Sequence, residues 1–176
     1  MSRLSCTPTI IRVTQDFLFY NQVSSRIGML ENCQLIVEPH VTLYLRLIGT
    51  CQTHILDIEL CDNAHLYCLS DRLIPDITVT CYTASRFYWC SVLYSTCVNS
   101  QSVHMELAGA HSCARVYVFP CVQPKTTVHM CTRQVHKASL TQSTSCIVGS
   151  IGDDAHFKHH GTVVVGTHLN DLVADQ

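Results

Sequence analysis

From residue 41 onward, apolar and polar positions alternate with a period of two. Val41, Leu43, Leu45 and Leu47 interleave with Thr42, Tyr44 and Arg46, and Leu56, Ile58 and Leu60 with Asp57 and Glu59. The same alternation carries Ile77, Val79 and Cys81, then Val103, Met105 and Leu107, then Ala114, Val116 and Val118. Successive side chains of a β-strand point to opposite faces, so each segment predicts a strand with one buried side. Helical spacing is not sustained over more than about a dozen residues. Turn-forming clusters punctuate the strands at Glu38-Pro39-His40, Cys61-Asp62-Asn63, Ala108-Gly109-Ala110, Gln123-Pro124-Lys125 and Gly152-Asp153-Asp154. Residues 1–32 are less regular, and within them 10–13 and 17–20 fit short strands or a helix equally well.

Strand–turn–strand units begin near residues 34, 54, 76, 102 and 127, spaced 20 to 26 residues apart. VHMELAGAHSCARVYV and ILDIELCDNAHLYCLS each read as strand, short turn, strand, which suggests repetition of one structural unit. Two all-β architectures accommodate this. A sandwich would join antiparallel hairpins, whereas a solenoid would stack each unit in parallel on the next around a narrow continuous core. Only 7 glycines are present and no Asn-Gly or Asp-Gly pair. The tightest hairpin turns depend on such pairs, so the balance tilts toward the solenoid.

Composition narrows the class. Charged residues make up 14% of the chain and hydrophobic ones 47%, which excludes disorder and a charged helical bundle. Lys+Arg 11 against Asp+Glu 13 leaves a net charge of −2, so no global attraction to nucleic acid or to an anionic membrane is expected. No apolar run reaches the roughly 18 residues of a membrane span; residues 41–48 are broken by Arg46. Arg12 and Asp16 interrupt what a secretory leader would need as its apolar stretch. The expected location is therefore the cytoplasm, or an organelle stroma after removal of a transit peptide.

The unusual numbers are 12 cysteines and 11 histidines. There is no Cys-x-x-Cys, and Cys61/Cys68 and Cys90/Cys97 are seven apart, too far to supply the tight ligand pairs of a structural zinc module. In a reducing compartment most of these thiols are expected to be packing residues.

From Thr127 the chain reads TVHMCTRQVHKASLTQSTSCIVGSIGDDAHFKHHGTVVVG. Without gaps, Thr132, His136, Ser143, Gly149, Gly161 and Val165 fall on positions of the SufB/SufD family, scaffold proteins of the SUF iron–sulfur assembly system, and the stretch resembles that family. ELAGAHSCARVYV, with Glu106, Leu107, Gly109, Ala110 and Ala114, is similar to the family's acidic-Leu-x-Gly-x-x-Ala strand pair, and NCQLIVEPHVTLYLRLIG to its strand–turn–strand entry. Departures are Ser139 for the family's turn Pro, Val148 for its Lys and His159 for its Phe. The resemblance implies a right-handed parallel β-helix over residues 33–166, with residues 1–32 irregular or capping and 167–176 a tail. It also implies a non-catalytic scaffold or accessory subunit, reduced relative to the family, that associates with a SufB-like or SufD-like β-helix subunit. An iron–sulfur cluster would be shared transiently with that partner. The family's helical C-terminal region has no counterpart here, so direct contact with the SufC-type ATPase is expected to be lost.

Several residues carry candidate chemistry. His129 and Cys131 lie two apart on a predicted strand and so share a face; imidazole and thiolate together suit zinc or cluster iron, but two ligands are not a site. His136, a family position, is expected to bond across a turn, Ser143 to make a local turn bond, and Gly149 to occupy a position a Cβ would crowd. Gly161 is marked by the family pattern alone. His156, His159 and His160 form a histidine-dense tract without the helix that makes metal pairs converge. His54 is in phase with Leu56 and Ile58 and is expected in the core. Glu59 and Glu106 face outward without an evident catalytic partner. No phosphate loop, nucleophile elbow or His-Glu-x-x-His helix is present, so no enzyme is expected. The alternatives are a Cys/His metal-binding protein and a non-catalytic β-repeat interaction module.

Overall fold

The computed structural model describes residues 8–16, 32–47, 54–71, 74–95 and 99–175. They form fourteen strands: β1 (Thr9–Val13), β2 (Asn32–Val37), β3 (Thr42–Leu47), β4 (Ile55–Leu60), β5 (His65–Ser70), β6 (Asp76–Cys81) and β7 (Arg86–Ser95), then β8 (Asn99–Leu107), β9 (Cys113–Val122), β10 (Thr127–His136), β11 (Gln142–Ile147), β12 (Ser150–Ile151), β13 (His156–Val165) and β14 (Val173–Asp175). No helix occurs among the described residues, and none is long and apolar enough to cross a membrane. Residues 17–20, one of the ambiguous segments, lie outside the described residues.

Every strand pairing is parallel, and the chain alternates between two sheets as it winds. The first sheet runs β1-β2-β4-β6-β8-β10-β13 and the second β14-β11-β9-β7-β5-β3, with β12 beside β9. The molecule is a parallel β-solenoid, and β1 and β14 belong to its sheets along with the strands between them. Coil length varies. Leu56 pairs with Ile77, 21 positions on, whereas Thr132 pairs with Gly161, 29 positions on.

The alternating apolar residues face inward and stack in rows. Cys33, Leu56, Ile77 and Val103 form one such row, and Leu43, Leu66, Phe87 and Ala114 another, all buried. Large residues sit beside small ones. Trp89 lies between Cys68 and Val116 in the register and is wholly buried, with its ring 6.2 Å from that of Phe87. Some of the thiols belong to the same interior: Cys33, Cys68, Cys81 and Cys113 are buried, and burial pushes the Cys81 thiol up to about 12. Such thiols stay protonated and unreactive.

The corners explain why glycine can be so sparse. Seven corners among the described residues are four-residue turns whose third residue takes a positive φ: His40, Asn63, Ala84, His111, Lys125, Leu140 and Asp154, between 54° and 64°. Main-chain bonds to the adjacent coil hold it there, as in His40 N–H to Asp62 O (3.1 Å), Asn63 N–H to Thr83 O (2.8 Å) and Ala84 N–H to Ala110 O (2.9 Å). In several turns the fourth residue is a buried Ser or Thr whose hydroxyl donates back to the first carbonyl, as Ser85 does to Tyr82 O and Ser112 to Gly109 O. A side chain beyond Cβ gains nothing from left-handed backbone, which costs a non-glycine residue about 1–2 kcal/mol. Leu140, at φ 62° and largely exposed, bears that cost openly. Leu140→Gly should therefore raise stability by about 0.5–1 kcal/mol after the extra unfolded-state freedom of glycine is deducted, seen as a higher urea midpoint at unchanged slope.

Candidate functional site

His129, His136, His156, His159 and His160, with Thr132, Ser143, Gly161 and Val165 of the family pattern, lie at the C-terminal end of the stack, on β10, β11 and β13. Inward positions of β10 run Val128, Met130, Thr132, Gln134 and His136, so the core changes along this one strand from aliphatic to polar. Facing it on β11 are Ser143 and Ser145, also buried. Buried polar groups need partners, and most of these find each other.

His136 is fully buried and engaged at both nitrogens, with Nδ1 2.7 Å from Thr141 Oγ1 and Nε2 2.9 Å from Ser143 Oγ. Thr141 gives its own proton to Ala138 O at 3.0 Å, so it accepts from His136 Nδ1–H. The imidazole thus bridges the turn that joins β10 to β11. Ser143 reaches across the same turn: its Oγ lies against His136 Nε2, and its proton goes to the side-chain oxygen of Gln134. Gln134 in turn donates to Asp175 O at 3.3 Å, which ties β14 to the network. With no carboxylate in contact, burial alone holds the His136 pKa below its ordinary value. One coil on, His159 Nε2 lies 2.9 Å from Thr132 Oγ1, and burial followed by the neighbouring His160 lowers its pKa too.

The two glycines differ. A Cβ on Gly149 would lie 2.0 Å from Pro120 O, so the previous coil leaves no room for one. Gly161 simply pairs with Thr132 on β13.

His129 and Cys131 are exposed on the outer face of the first sheet. The register places Lys158 beside His129 and His160 beside Cys131. Among the described residues no three His, Cys, Asp or Glu side chains converge as metal ligands. Cys131 and His160 make a pair of neighbours at most, and the Lys158 ammonium on the adjacent position opposes a cation there. Glu59 and Glu106 are separated by Thr80 of the intervening strand, and Glu106 is taken up by Lys137 Nζ at 2.6 Å. They form no acid–base dyad. His54 corrects the sequence reading: it is exposed. Its phase matches Leu56, but the strand begins only at Ile55, and the alternation does not extend backward into the bend that precedes it.

The best-built outer surface was not singled out from the sequence. On the second sheet, Tyr44, Tyr67 and Tyr88 occupy one column of β3, β5 and β7. Their rings stack at 4.9 Å, with interplanar angles of 12° and 7°. Arg115 continues the column on β9, its guanidinium 5.6 Å from the Tyr88 ring centre. The next column holds Arg46, Leu69, Cys90 and Tyr117, and a shallow depression of about 250 Å³ runs between the two. The sequence signal was there to find: Leu43-Tyr44, Leu66-Tyr67 and Phe87-Tyr88 recur at nearly one coil's spacing.

No family model, no curated protein and no solved structure matches this chain.

Proposed function

We propose that the chain is a non-catalytic β-solenoid scaffold of the SufB/SufD kind, acting in iron–sulfur cluster assembly through association with a second β-helical subunit. The observation that carries this reading is where the scattered family-position residues of one coil fall. Thr132, His136 and Ser143, which fall on family positions, all point into the interior of one coil, and Gly149 closes against the coil before it. A diffuse motif of single residues makes sense when each one satisfies or spaces the inside of a winding chain rather than reacting with a substrate. A base needs access to its substrate; His136 is wholly buried, with hydroxyls against both ring nitrogens. The scaffold would bring surface and shape to the complex, with any cluster held transiently together with the partner.

The test is co-expression with a SufB-like subunit and a SufC-type ATPase, followed by size-exclusion chromatography and iron and sulfide analysis of the peaks. Co-elution with the β-helical subunit is expected, with little retention of the ATPase when that subunit is left out. Separate elution from both proteins would remove the iron–sulfur assignment and leave the interaction solenoid alone.

A further inference from the structure

We propose that the outer face of the second sheet is a docking surface for an acidic, aromatic-containing segment of another protein. This does not depend on the iron–sulfur reading, because it concerns a face that the family pattern does not mark.

The composition of that face is lopsided. Across β3, β5, β7, β9 and β11 the charged residues are Arg46, Arg86 and Arg115, with no Asp or Glu at all. Among the described residues, acidic groups border this face from the corners and edges, as do Glu38, Asp62, Asp71 and Asp175, and Asp16 beside the Thr42 amide. Beside the arginines lie the tyrosine column, Tyr117 and Leu69 at 44% exposure, with Phe119 at 42% one column further along the strands. The first sheet provides the contrast within the same molecule. Its strands mix Asp57, Glu59, Asp76 and Glu106 with Arg12, Arg133 and Lys158. Enrichment in Tyr, Phe and Arg with depletion of Lys, Asp and Glu is the compositional mark of an interface centre.

Size and shape decide the kind of occupant. Four strands and three side-chain columns cover roughly 20 Å by 20 Å, about 400 Å², the size of the largest functional patches on monomers and about half of one side of a standard interface. The depression is smaller and more open than the roughly 300–1,000 Å³ cavities that enclose small ligands. Single-stranded nucleic acid would need free ring faces for its bases, but Tyr67 is covered on both faces, by Tyr44 and Tyr88, and Tyr88 by Tyr67 and Arg115. What the ladder offers is a flat row of ring edges and hydroxyls between guanidinium groups. Carboxylates meet the arginines in bidentate pairs, and an aromatic side chain packs into the groove between the columns.

Fluorescein-labelled poly(Glu,Tyr), titrated with the full chain and read by anisotropy, tests this. Binding that weakens as salt rises is expected. Arg86→Glu with Arg115→Glu should lower affinity at least tenfold. Arg133→Glu with Lys158→Glu makes the same change in net charge on the other sheet and should lower it less than twofold. Tyr67→Ala should lower affinity about fivefold without altering charge. If the first double variant loses its thermal transition, Arg46→Glu replaces it with an expected threefold loss. No binding of poly(Glu,Tyr), equal losses from both double variants, polyglutamate binding as tightly as the copolymer, or oligo(dT) binding more tightly than either would each overturn the proposal.

Discussion

Trp89→Ala is expected to cost about 3–5 kcal/mol, enough to consume much of a single domain's stability. The indole is wholly buried, and its immediate neighbours in the stacked row are Cys68 on one side and Val116 on the other. Neither can extend to fill the space, and the strands that carry them are pinned by parallel ladders on both sides, so the void persists. Phe87, tilted 32° against the indole, would lose its contact as well. Trp89→Phe should cost much less. The indole Nε1 has no protein partner, and removing it deletes a buried unpaired donor while keeping most of the ring's volume. Urea unfolding of the two variants checks both statements: a loss under about 1.5 kcal/mol for alanine would mean that the core collapses locally, contrary to the stacked geometry.

His136→Ala should cost about 2–4 kcal/mol, because it opens a cavity and takes a partner from Thr141 and from Ser143 in a sealed interior. The same residue makes stability depend on pH. Burial lowers the folded pKa of His136 beneath the unfolded value of 6.5. As pH falls below about 6.5 the unfolded chain takes up a proton that the folded chain refuses, so the unfolded state binds more protons and stability declines. The loss continues down to the folded pKa and then levels off. His65, His104 and His159, each lowered chiefly by burial, add in the same direction. Urea midpoints at pH 8 and pH 5.5 should fall for the wild type and fall less for the His136 variant, since that variant has already lost one of the titrating groups. Parallel pH slopes for the two proteins would show that His136 accepts its proton without penalty.

Much of the fold was legible because strand faces are a local property. Leu43, Leu56, Ile77, Val103 and Val116 all point inward as the period of two predicts, and the turns at 38–40, 61–63, 108–110, 123–125 and 152–154 fall where Pro, Asp, Asn and Gly were read. The failure at His54 is instructive for the same reason. Parity holds only inside a strand, and the strand's first residue is set by the corner, not by the pattern. The corners were half-legible: five were read from their turn residues, but the corner at 82–85 was not, nor the positive φ at Ala84 or Leu140, which bonds to the neighbouring coil sustain against local preference.

By itself, the sequence determined that the chain is all-β, which face of each strand is apolar, and that the unit repeats about every two dozen residues. Alternation and turn chemistry act between near neighbours and need no knowledge of distant ones. Only the tertiary structure decided which residues lie side by side. Coil lengths vary from 21 to 31 residues, so the register that stacks Tyr44 on Tyr67 on Tyr88, leaves His129 beside Lys158 and brings His136 to Ser143 is set by the closure of each corner and the fit of each interior row. The candidate site follows that register, because contact between residues a coil apart is a property of the stack and of no single stretch of chain.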